Sequence, residues 1–223
     1  MVSALVLICF YVSMTILLFP SPGNLESEGH KTNQEKEKSI AICCTWGEQI
    51  GDGKLAYSVA GTEPKIRNAV ITAIEEWDSK LEPLDIEEAK GDNSADIYIR
   101  FIGDGKSLVG QKTKYGSLPG GMIMLKLDRN GFIQNVHITI AEGLFGEKFS
   151  TKEIKLVAEH EIGHALGLGH SNFKSSVMSS KVSSQEVGII SGCEINSVLF
   201  ANAWKLRGGN SDPIAVEDGK LNC

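Results

Sequence analysis

Three of the chain's five histidines, His160, His164 and His170, fall within the run VAEHEIGHALGLGHSNFKSSVM. On a helix, His160 and His164 stand one above the other on one face. Two imidazoles placed so can bind one metal ion, with zinc–nitrogen distances of about 2.0–2.1 Å. Glu161 is offset by one position. It cannot share that coordination direction, but it can lean over a water at the ion's open position. Gly167 can take a positive φ and end the helix, which turns the chain back and brings His170 round as a third nitrogen. An ion held by three neutral histidines acidifies bound water towards a pKa of about 7 and polarises a carbonyl. Glu161 would accept the water's proton and pass it to the leaving group. The chemistry implied is metal-assisted hydrolysis.

The elements that must position these residues are legible around them. Ser150-x-x-Glu153 forms a capping box, and Ile154, Val157, Ala158, Ile162, Ala165 and Leu166 follow at helical spacing. An earlier helix is predicted over Glu63 to Lys80, with Ile66, Ala69, Val70, Ala73, Ile74 and Trp77 on its apolar face. Thr62 is placed to cap it and Pro64 to begin its first turn. Strands are predicted at KLAYSVA (54–60), LDIEEA (84–89), ADIYIRFIG (95–103), GGMIMLKLD (120–128) and NVHITIAE (135–142), with a turn at Arg129 to Gly131. Gly103 to Pro119 reads as an irregular loop, and a last helix is expected from about Cys193 to Trp204. The order gives an α+β fold: one mixed, mostly parallel twisted sheet, two long helices, a metal cleft and a C-terminal helix.

His160-Glu161-x-x-His164-x-x-Gly167-x-x-His170 resembles the metzincin signature. Ser171 after the third histidine and Met178 eight residues beyond it resemble the matrixin branch, the family of the matrix metalloproteinases. LAYSV, the helix ending near Trp77, ADIYIRF, PGG before a strand, and NVHITIAE follow the same order of elements, over roughly Thr45 to Leu206. The resemblance implies a zinc endopeptidase acting on proteins or peptides, with Met178 beneath the metal and Glu161 as general base. It also implies substrate paired along GGMIMLKLD as an added strand, and an S1′ wall from SSKVSS after Met178, without the family's usual Tyr and Pro. Matrixins commonly hold a second, structural zinc and calcium. His137 sits where one structural ligand belongs, but no histidine stands near Leu125 or in the preceding loop, and one imidazole cannot supply about four ligands. Ile138, Thr139 and Ile140 replace the expected acidic run, which leaves calcium unsupported. One zinc is expected. No cysteine-switch segment precedes the domain, and Cys43 and Cys44 are not expected to cap the metal. Two alternatives share these residues: a non-catalytic exported domain stabilised by zinc, and another metzincin branch such as an astacin-like peptidase. An intact Glu161 argues against the first, and the absence of a Tyr soon after Met178 against the second.

The chain has 223 residues, 42% hydrophobic, and a net charge of −6. The acidic balance excludes the basic face that nucleic acid requires, and a monomer is expected. MVSALVLICFYVSMTILLF at the start carries no charged side chain. Residues 1–22 therefore read as a signal peptide or membrane anchor, with residues 2–19 able to tether the chain. Residues 23–44 read as a disordered spacer, 45–207 as the catalytic domain and 208–223 as a tail. Export places the domain outside the cell, where Cys43, Cys44, Cys193 and Cys223 could form one or two disulfides. Adjacent cysteines rarely bond each other, so Cys43 and Cys44 are each expected to reach a distant partner.

Overall fold

The computed structural model describes residues 37–91, 94–109, 120–180, 188–207 and 219–223. In chain order the elements are β1 (Ser39–Ile42), β2 (Thr45–Trp46), β3 (Lys54–Val59), α1 (Pro64–Asp78), β4 (Asp85–Glu88), β5 (Ile97–Ile102), β6 (Gly121–Leu127), β7 (Phe132–Ala141), β8 (Gly143–Leu144), β9 (Glu147–Lys148), α2 (Thr151–Ala165), β10 (Leu168–Ser171), α3 (Gly192–Ala201), α4 (Ala203–Leu206) and β11 (Gly219–Asn222).

The main sheet runs β2-β7-β5-β3-β4, with β6 also on β7. Every pairing is parallel except that of β6, which lies antiparallel to β7 with Ile123 opposite Ile138 and Leu125 opposite Val136. This is the mixed, mostly parallel α+β architecture that the alternating runs predict. Parallel strands covered by helices must bury their side chains, and Ile97, Ile99, Val136, Ile138 and Ile140 are all buried. Both long helices join them in one apolar core through Val70, Ile74, Trp77, Ile154, Ala158 and Ile162.

The six periodic residues of α1 are all buried, and Pro64 opens the helix. Its cap differs from expectation. Glu63 occupies the N-cap position without a side-chain hydrogen bond, while the Thr62 hydroxyl donates instead to Glu142 Oε1 at 2.7 Å. The Ser150–Glu153 capping box of α2 is present in full. The last helix is two pieces, α3 and α4, joined at Asn202. The Gly103–Pro119 loop contains a 3-10 turn at Gly105–Ser107 and a buried Leu108; residues 110–119 lie outside the described part.

The expected spacer over 23–44 and tail over 208–223 need correction at Ser39–Ile42 and Gly219–Asn222. Ser39–Ile42 is a strand because Ile40 and Ile42 are fully buried, and its backbone pairs on both sides. It is the centre of a three-stranded antiparallel sheet, β10-β1-β11, whose third strand comes from the presumed tail. The cysteines also pair otherwise than expected. Cys193 reaches Cys223, but Cys43 and Cys44 bond each other. Both neighbours are buried at the bend between β1 and β2, and the other two described cysteines already satisfy one another.

The leader, residues 2–19 as tether, and the spacer up to residue 36 fall outside the described residues. Among the described residues, no helix is long and apolar enough to cross a membrane.

Candidate metal centre

Helix α2 carries His160, Glu161 and His164 in its last two turns, and all three are fully buried. The helix stops at Ala165. Gly167 takes φ +100°, and its N–H bonds back to His164 O at 3.0 Å. A side chain is disfavoured there on two counts, since a Cβ would also lie 2.5 Å from Cys44 O. The turn leads into β10, whose third residue is His170.

Each of the first two ligand candidates has its tautomer set by a backbone carbonyl. His160 Nδ1–H donates to Val177 O and His164 Nδ1–H to Leu168 O, both at 2.7 Å. With the proton held at Nδ1, Nε2 presents a bare lone pair, the orientation that outer hydrogen bonds give metal-bound histidines. The two Nε2 atoms lie 3.1 Å apart. Two zinc–nitrogen bonds at a tetrahedral angle would set them about 3.3 Å apart. One nitrogen from each of His160, His164 and His170 falls within 4.8 Å of the others. His170 Nε2 and both carboxylate oxygens of Glu161 are buried without a hydrogen-bond partner.

Burial dominates the electrostatics. It holds His160 well below the ordinary imidazole value, brings His164 down to about 4 and lowers His170. All three are therefore neutral, as ligands must be. Burial without a partner pushes Glu161 up to about 8. Three neutral nitrogens beside an orphaned carboxylate make a donor set that fits a divalent cation such as zinc, whose charge would restore the carboxylate.

Two supports flank the triad: Gly121, which only the fold brings there, and Met178, expected from the sequence. Gly121, at the start of β6, lies against Glu161: a Cβ there would come within 2.8 Å of Glu161 Cγ and closer still to Oε1. Met178 is fully buried and touches the backbone of Gly163, between the two helical histidines. Met178 N donates to Ser176 Oγ at 3.0 Å, and the Ser176 hydroxyl donates to the buried Glu194 carboxylate. The capping box Ser191-x-x-Glu194 was a readable signal for Glu194, although nothing in the sequence marks Ser176 as its partner. His137 stands apart from the triad. It is exposed on β7 and stacks on Tyr98, with ring centroids 5.0 Å apart. Within SSKVSS, residues 181–184 lie outside the described part.

Residues 45–191 match the matrixin family, peptidase family M10. Three curated relatives are similar over about half of this chain. Matrix metalloproteinase-19 of Mus musculus is 31% identical over 115 residues, 52% of this chain and 20% of its own length. Two proteins of Arabidopsis thaliana, metalloendoproteinase 5-MMP and metalloendoproteinase 1-MMP, are 30% and 29% identical over 121 and 123 residues. These cover 51% and 52% of this chain and 32% of each relative. The chain thus spans a fifth to a third of the relatives it matches. With the family match extending over most of the folded part, and His160, His164 and His170 converging inside it, this chain belongs to the matrixin family of metallopeptidases.

Proposed function

We propose that the protein is a zinc-dependent endopeptidase that cuts peptide bonds of extracellular proteins or peptides. The carrying observation is the convergence of three buried, neutral imidazoles beside a buried carboxylate that nothing else partners. His160, His164 and His170 would hold the zinc. When bound, zinc supplies Lewis acidity towards water and the substrate carbonyl.

The chain's own groups do the rest. Glu161 takes a proton onto a carboxylate oxygen from the attacking water and returns it to the leaving amine nitrogen. Its ordinary value of 4.5 is raised to about 8 by burial, and a neighbouring cation would lower it from there. That brings it towards the working pH, where proton exchange is most effective. Gly121 leaves room for that side chain, so β6 begins directly beside it. Among the described residues the outer edge of β6 is unpaired, so its backbone can bond an extended peptide as an added strand. A peptide lying there would pass the carboxylate at the Gly121 end.

Extracellular action rests on the uncharged leader and on the disulfides, which persist in oxidising compartments. A quenched peptide added to intact producing cells tests both statements. It should be cut outside the cells, stop being cut with a chelator, and be cut again on adding zinc. Cutting that survives the chelator, or appears only after lysis, would contradict the proposal.

A further inference from the structure

The family match covers residues 45–191. Three features of the fold lie outside it: β1, Cys193 and the strand β11 with Cys223 directly after it. All three bear on the strand that carries His170. β1 lies antiparallel to β10, with Ile40 opposite Ser171 and Ile42 opposite Leu168. His170 stands between those two pairs. The approach is close, since a Cβ on Gly169 would meet Ala41 Cβ at 2.8 Å. Both ends of the pairing are fastened. Cys43 N donates to Gly167 O at 2.9 Å. At the other end, Ser39 N donates to Asn172 Oδ1 at 2.9 Å and Asn172 N to Ser39 O at 3.1 Å.

β11 then covers the far edge of β1 over four residue pairs, and Cys223 N donates to Lys38 O at 2.8 Å. A four-residue strand on the edge of a small sheet is marginal unless something ties it down. Here the tie is covalent: Cys223 is bonded to Cys193, in the first turn of α3. The next residue of that helix, Glu194, holds Ser176 and through it the backbone of Met178. One closed path therefore joins the ligand strand to the turn beneath the helical histidines: β10, β1, β11, the Cys193–Cys223 bond, α3, Ser176 and Met178.

We propose that β1, β11 and the Cys193–Cys223 bond form a clasp that positions His170 as the third ligand. The clasp sets how long the site keeps its metal. Cys193 and Cys223 are positioning residues, since neither is placed at the reacting atoms. The proposal rests on the reading that the triad binds a divalent metal. The reason for a clasp follows from the sequence order. His160 and His164 are fixed by a helix, whereas His170 follows a glycine turn on a four-residue strand, held on its other side by Ser171 N donating to Met178 O at 2.8 Å and by His164 Nδ1 donating to Leu168 O.

Cobalt(II) is a suitable probe because its visible absorption reports ligand number and geometry. The full-length protein and its Cys193→Ser/Cys223→Ser variant would each be loaded with cobalt and then challenged with excess chelator. Asn172→Ala, which loosens the opposite end of β1 with both cysteines intact, would be measured alongside. The clasp predicts that both variants release cobalt at least about tenfold faster and show an altered absorption band. It also predicts that the Asn172→Ala protein folds with native far-ultraviolet dichroism. A stabilising disulfide without a positioning role would lower the melting temperature of the metal-free protein and leave band and release rate unchanged; that result overturns the clasp. A parent protein that takes up no cobalt would overturn the metal reading itself, and the clasp with it.

Discussion

At the residue scale, burial sets the chemistry of the four central groups, and it does so with opposite signs. His164 falls from 6.5 to about 4. Between those values the unfolded chain binds the proton that the folded chain refuses, so stability rises with pH across that window, by about 3 kcal/mol from this residue. His160 and His170 act in the same direction. Glu161 is raised from 4.5 to about 8, so the folded chain keeps a proton that the unfolded chain loses. Its contribution falls as pH rises through that range. Glu159, raised to about 7 by burial, adds to the Glu161 decline between 4.5 and 7, whereas Glu76, held at about 2 chiefly by Lys155, acts only below 4.5. Stability of the metal-free protein should therefore peak near pH 6.5, with three histidines dominating below and Glu161 above. Denaturant unfolding of chelated protein from pH 4 to 8 measures this. Glu161→Gln should steepen the acid limb and lose the decline above pH 7; an unchanged alkaline decline would show that Glu161 does not cause it. The spacing of His160, Glu161, His164, Gly167 and His170 was readable in the sequence because helical period and glycine turn fix it locally. Gly121 against Glu161, and Ser176 on Glu194, were not readable, because each joins segments that only the fold brings together.

At the element scale, α2 is positioned by α1 as much as by its own cap. Trp77 is fully buried and its indole N–H donates to Glu159 O at 2.9 Å, one residue before His160. Lys155 bridges Glu76 of α1 and Glu159 of α2 on the rim of the same contact. Trp77→Ala should cost about 3–5 kcal/mol, the range for truncating a buried aromatic. It should also lower activity in the folded fraction, because α2 would no longer be held at the level of its ligands. Equilibrium unfolding with a parallel peptide assay checks both, and a cost under about 1 kcal/mol would contradict this role. The long helices and alternating strands were legible because their apolar period repeats over many residues. β1 and β11 were not. SIAI and GKLN are four residues each, preceded by charged residues, and they become strands by pairing with each other and, for SIAI, with β10.

At the scale of the whole molecule, the matrixin sheet and helices carry the histidine triad, and a second small sheet made partly from both ends of the described chain includes the ligand strand. Its cysteine pairing could not be read from spacing, since four cysteines admit three connectivities. The central claim is that three histidines hold one zinc while Glu161 touches water and not metal. Zinc content and peptide hydrolysis measured together on Glu161→Ala test it most directly. The expected result is about one zinc per chain, as in the parent protein, with hydrolysis reduced by about 10²–10⁴-fold or more, the range for loss of a general base. Near-normal hydrolysis by the variant would contradict the claim.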